Sequence, residues 1–248
     1  MSSRLASFRG PSTPTASPVQ VKQQPNTPGS PSRYVESTYH RKIRTLLQEL
    51  RSITETWDDL VLIDGLKAAK SLVDTRTDLD NEITALPDKQ PMTVLVGPKL
   101  EFMDKCISDL EAVLKKLQKQ FRRMNAVIEN METVLFEATK IKGWQWACEE
   151  PLWVTWSIER FGVIDAPIFV SSGLCSILVT SVASIVVPYH RSLDLNTKLV
   201  KLLRSHSISF EDSRSAISKW VAQPWLEEEG WDAKWEDICA VEVERWDR

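Results

Sequence analysis

The sequence predicts an all-α protein: a long antiparallel helical hairpin or coiled coil, then a Trp-rich helical C-terminal region, behind a disordered N-terminal tail. Three observations predict it. Apolar residues fill a and d positions without a miss from Leu100 to Ala138, a spacing that marks a packed helix seam. A Pro-rich connector separates that run from an earlier amphipathic segment. Nine of the ten tryptophans, all but Trp57, follow the long run, which concentrates large apolar side chains in the second half. The expected divisions are residues 1–36, 37–142 and 143–248.

Residues 1–36 are dominated by Ser, Thr, Pro and Gln with scattered basic residues. Too little apolar surface is available there to offset the entropy of ordering, so a disordered arm is expected. Thr13, Ser17, Thr27 and Ser30 each precede a proline, and Arg33 follows Ser30 by three places. These are candidate sites for a proline-directed kinase, whose phosphate adds roughly −1.5 to −2 of charge. Ser-Pro and Thr-Pro pairs also arise freely in such a tail.

A first helix is expected from near Thr38 to about Leu79. Ile43, Leu46, Leu50, Ile53, Trp57 and Leu60 recur at three- and four-residue steps on one face. Asp64 then falls on the seam and the stripe moves to Leu66, Ala69, Leu72 and Val73, the mark of a stutter or the end of one partner's contact. "TALPDKQPMTVLVGPK" breaks the pattern with Pro87, Pro91, Gly97 and Pro98 and reads as a connector.

The second helix carries Leu100, Met103, Ile107, Leu110, Leu114, Leu117, Phe121, Met124, Ile128, Met131 and Leu135 on its seam. At 1.5 Å per residue it is a rod of roughly 60 Å, too long to bury its seam alone. The first helix is the expected antiparallel partner, and the seam is the candidate surface for another chain. An ordinary helical-bundle core shares this geometry.

In the second half, Tyr189, Leu193, Asn196, Val200 and Leu203 make one helical stripe. "SFED" at Ser209–Asp212 is a capping box that starts the next helix. That helix carries Ile217, Trp220 and Val221 and stops at Pro224, and a last helix aligns Trp231, Trp235, Ile238 and Cys239.

Catalytic signatures are missing. The eight glycines stand singly, so no loop cradles phosphates. His40, His190 and His206 lack metal-ligand spacing. "VSSGL" at Val170 is not a nucleophile elbow, and Glu227–Glu229 reads as a solvated helix start. "HRKIR" at His40–Arg44 reads as an exposed helix face rather than an import or phosphate-contact patch. No enzyme, cofactor, metal or small-molecule substrate is expected. With 31 basic against 34 acidic residues, no global polycation field recruits nucleic acid. Cys106, Cys148, Cys175 and Cys239 form no CxxC pair, which suits a reducing compartment. The first residues show no secretory signal.

Several strings then point to a relative. "WDDLVLIDGLKAAKSLV" (Trp57–Val73), the heptad helix, "PLWVTWSIERF" (Pro151–Phe161) and "ISKWVAQPWLEEE" (Ile217–Glu229) stand in this order. So arranged, the chain resembles the cyclin-dependent kinase 2-interacting protein family over most of its body and none of its tail. The resemblance implies a small non-enzymatic helical adaptor of nucleus and cytoplasm. Its implied partners are helical protein subunits, among them cyclin-dependent kinase, the origin-firing kinase, and an AAA-ATPase assembly of ribosome maturation. It singles out Trp57, Trp153, Trp156, Phe161, Trp220, Gln223, Pro224 and Trp225 as motif or interface residues, with Trp225 where a tyrosine is common; all read equally as core anchors.

One stretch resists the comparison. Ala166–Val187 carries no charged residue and is long enough to span a bilayer, for which about 20 apolar residues suffice. A single-pass membrane protein with a cytosolic coiled coil is therefore the alternative reading. Five serines, a threonine and Gly173 interrupt the stretch, and residues near 162–180 have no counterpart in the resembled family. The expectation is a short in-frame intron kept in the coding sequence; a membrane span and a genuine buried insert are the alternatives.

Overall fold

A computed structural model describes residues 37–86, 93–148, 182–205, 207–227 and 231–244. The candidate phosphosites Thr13, Ser17, Thr27 and Ser30, the motif residues Trp153, Trp156 and Phe161, and the atypical stretch 162–180 lie outside the described residues. The elements are α1 (Thr38–Asp58), a π-helical segment (Asp59–Gly65), α2 (Leu66–Ala85), α3 (Thr93–Lys142), α4 (Trp144–Cys148), a 3-10 turn (Ala183–Ile185), α5 (Val186–Arg204), α6 (Phe210–Ala222), α7 (Pro224–Glu227) and α8 (Trp231–Glu242). The fold is all-helical, with residues 38–85 running antiparallel to α3.

Ser37 caps α1 by accepting the backbone N–H of His40 at 3.1 Å. The antiparallel register with α3 is marked by Lys42–Glu137 at 2.9 Å, Glu49–Arg123 at 3.3 Å, Asp64–Lys116 at 3.3 Å and Glu82–Lys99 at 2.7 Å. Each of these solvent-facing pairs contributes little energy. Adhesion comes from Leu47, Leu50, Ile53 and Leu72 of the first arm and Leu110, Leu117, Met124 and Met131 of α3, all buried.

Two helix boundaries differ from expectation. The first arm continues past Leu79 to Ala85, and α3 begins at Thr93, taking Gly97 and Pro98 into its body. A proline removes one backbone N–H, and its main penalty is the carbonyl left four residues earlier. Here that residue is Val94, 89 % exposed in the opening turn, where water can donate to the carbonyl in place of the missing N–H.

The shift of stripe at Asp64 has a definite form. Residues 59–65 wind as a π-helix, whose i→i+5 bonding adds residues to one turn and rotates everything after it. The Leu66 N–H reaches back to the Val61 carbonyl. After the wide turn, Ala68, Ala69, Leu72, Val73 and Leu79 face the core again. The stutter is thus absorbed inside one continuous helical arm.

Helix α5 lies against α3 and runs antiparallel to it, as Arg204–Glu111 at 3.1 Å and the His190 and Phe121 rings at 5.5 Å establish. Its carboxyl end is held by α2: the buried Arg76 guanidinium donates to the Leu203 carbonyl at 2.8 Å, a favourable cation at a helix C-terminus. Burial lowers the Arg76 pKa, with Asp80 opposing. Ser209 caps α6 by accepting the Asp212 N–H at 3.0 Å, as the capping box requires. Trp235, Ile238, Cys239 and Val243 from α8 and the residue beyond it join the same core.

Candidate functional site

Of the residues singled out by the ordered strings, Trp57, Trp220 and Gln223 meet at the π-helical segment. Trp57, at the end of α1, and Trp220, near the end of α6, are both fully buried. The Trp220 indole N–H donates to the Val61 carbonyl at 2.9 Å, the same carbonyl that accepts the long bond from Leu66. The widened turn therefore presents an acceptor sideways, and an aromatic donor from α6 takes it. Gly65 lets the ring come this close: a Cβ built there would lie 2.5 Å from Trp220 Cζ2.

Gln223 completes the junction. It ends α6 in the left-handed region, at φ 39° and ψ 57°, a conformation that glycine ordinarily supplies. From that corner its side-chain carbonyl accepts the Trp57 indole N–H at 3.0 Å, and its amide donates to Asp58 Oδ1 at 3.3 Å. Pro224 then opens α7 with its fixed φ, as suits a first helical position. Trp225 is half-buried, with the Arg191 guanidinium 5.3 Å from its ring centre. Tyr189 of α5 packs edge-on against Trp57 at 5.0 Å. Four helices are thereby pinned to one polar and aromatic knot.

The heptad seam is filled from within the chain. Met103, Ile107, Leu110, Leu117, Met124, Ile128, Met131 and Leu135 are buried, Leu114 and Phe121 are half-buried, and Leu100 is 38 % exposed. Cys106, Val113, Val127 and Val134 are buried as well. With Gln120 midway in the series, these form a third, mostly apolar position per heptad, which widens the stripe from a two-stranded seam to a bundle face. Their seven-residue recurrence was readable in the sequence, but the a/d template leaves it out.

A cleft of about 410 Å³ lies between α2 and α3, with Asp64, Lys67, Phe102, Lys105 and Cys106 in its wall. Burial pushes the Cys106 thiol pKa up, so its nucleophilic thiolate is suppressed at neutral pH. Among the described residues no group of His, Cys, Asp or Glu is disposed to hold a metal ion. Within "HRKIR", His40 and Ile43 are buried and Lys42 pairs with Glu137; only part of that string faces water.

Among the described residues no helix is long and apolar enough to cross a membrane. Val182 and Ile185, at the end of the uncharged stretch, are fully buried in the helical core. Their packing shortens the uncommitted run to residues 166–181. No protein-family model and no curated protein matches this chain.

Proposed function

We propose that this chain is a non-enzymatic helical adaptor that binds partner proteins. Its setting would be complexes of the cell cycle, DNA replication and genome maintenance, or of AAA-ATPase-linked ribosome maturation, in nucleus and cytoplasm. That is what the resemblance to the cyclin-dependent kinase 2-interacting protein family implies. The observation that carries the reading is the junction of Trp57 with Gln223, 166 positions apart and hydrogen-bonded in the interior. Strings at opposite ends of the body are interdependent, so their joint presence in order weighs more than either alone. Around that knot, the 50-residue α3 extends about 75 Å and exposes a long polar flank suited to contact with other subunits.

Affinity purification of the tagged full chain from its native cell, read by mass spectrometry, tests the reading. The expected result is co-purification of kinase or AAA-ATPase subunits in near-stoichiometric amounts. Recovery of the chain alone at physiological salt would overturn it.

A further inference from the structure

We propose that the outer groove between α3 and α5 is a docking surface for an acidic amphipathic helix of a partner protein. The proposal rests on the adaptor reading and names the chemistry of the partner. The α3/α5 register places two stripes along the groove. On α3 the stripe is Glu111, Lys115, Gln118 and Arg122; on α5 it is His190, Asp194, Thr197, Lys201 and Arg204. Both follow the three- and four-residue steps of a single helix face, anchored by the Glu111–Arg204 pair and the Phe121–His190 contact.

The charges along these stripes do not cancel. Glu111 is held by Arg204 and Asp194 by Lys198 at 2.6 Å. Lys115, Arg122 and Lys201 are exposed and form no ion pair with a described residue. Helix α3 has no acidic residue between Glu111 and Glu129, and Glu111 is already engaged by Arg204, so Lys115 and Arg122 carry surplus charge. On α5, Lys201 shares the field of Asp194 with Lys198. This surplus of positive charge stands out on a chain whose net charge is −3.

The groove floor is apolar. Leu114 and Phe121, one heptad apart on α3, and Leu193 on α5 are only partly covered by the core they pack against. Two antiparallel helices with such a floor accept a third whose apolar ridge fits between them. Basic rims on both sides select acidic flanks on that third helix and steer its approach. Nucleic acid fits less well: three cations outside ion pairs offer few phosphate contacts, and one ring, Phe121, between Leu114 and Leu193 is a short platform for stacking bases.

The test uses the full-length chain and a labelled peptide of about 21 residues, three heptads with Leu at a and d and Glu at e and g. Fluorescence anisotropy should show saturable binding at least about tenfold tighter than to the same peptide with Gln at e and g. Replacing Lys115→Glu, Arg122→Glu and Lys201→Glu together should weaken binding about tenfold or more, while Lys67→Glu with Lys70→Glu on α2 leaves it unchanged. Should the triple reversal fail to fold, the corresponding three Gln replacements should weaken binding in the same direction. Equal affinity for both peptides, or an unchanged Kd in a folded triple variant, overturns the proposal. So does a single-stranded oligonucleotide that binds tighter than the Glu peptide and needs the same cations, or a wild-type dimer that the reversal dissociates. A folded triple variant that retains every native partner of the wild type overturns the docking surface and leaves the adaptor reading standing. A wild-type chain that retains no partner overturns both.

Discussion

Trp57 donates its indole N–H to the Gln223 side chain at 3.0 Å, across 166 positions of sequence, in the buried interior. The bond ties the end of α1 to the left-handed corner that terminates α6. Because Gln223 also donates to Asp58, one amide side chain uses its acceptor and a donor to fix a helix crossing. Each partner's loss would leave a desolvated polar group behind.

This makes Gln223→Gly an informative substitution. Glycine relieves the left-handed backbone, by about 1 kcal/mol on conformational grounds. It also strands the buried Trp57 N–H, which costs about 1–3 kcal/mol. We expect a net loss of stability in urea denaturation and a similar loss for Trp57→Phe. A glycine variant more stable than wild type would show that the backbone term dominates.

At Gly65 the expected sign is opposite to that of an ordinary helical glycine. Elsewhere in a helix, Gly→Ala gains up to about 1 kcal/mol. Here the new methyl would meet the Trp220 ring, which its bond to Val61 holds in place. Gly65→Ala should destabilise by about 1–3 kcal/mol, with a change in near-UV circular dichroism from the displaced indole. Increased thermal stability would refute the close packing.

Leu117 is fully buried on the α3 seam. Leu117→Ala should cost about 2–5 kcal/mol, whereas exposed Lys119→Ala should stay within about 0.5 kcal/mol of wild type. The comparison separates a seam filled by this chain's own helices from one that awaits another chain. Near-equal unfolding midpoints for the two variants of the isolated protein would contradict intramolecular filling.

Cys239 gives the fold a pH response. Burial, opposed by Arg51, pushes its thiol pKa from 9.0 up to about 11. The unfolded chain releases this proton near pH 9, and the folded chain keeps it until about pH 11. The stability contributed by the neutral thiol is therefore complete below pH 9 and is lost as pH rises toward 11. Cys239→Ala should flatten the fall in unfolding free energy over that window; parallel wild-type and variant curves would count against the buried thiol.

The uncharged stretch before α5 is decided at the level of RNA. A retained intron predicts that mature messages join the codons of Phe161 closely to those preceding Tyr189. Sequencing the transcript across both checks this. If every message encodes Gly162–Thr180, the intron expectation is wrong, and membrane fractionation then tests the span.

The helical class, the antiparallel pairing of the two long arms and the start of α6 were legible in the sequence, because they depend on local periodicity and on a four-residue cap. Leu110, Leu117 and Met124 declare a buried face whatever covers it. Tertiary structure decided what covers it. Cys106, Val113, Val127 and Val134 broaden the α3 stripe, and its contacts divide between the first arm and α5. The shift at Asp64 was visible as a break in phase, but a π-helical turn and a true end of contact leave the same trace in sequence. Only the arrival of Trp220 over Gly65, with its N–H on the Val61 carbonyl, distinguishes them. Gln223 shows the same division: "QP" marks a helix stop from local chemistry, whereas its hydrogen bond to Trp57 depends on bringing distant helices together.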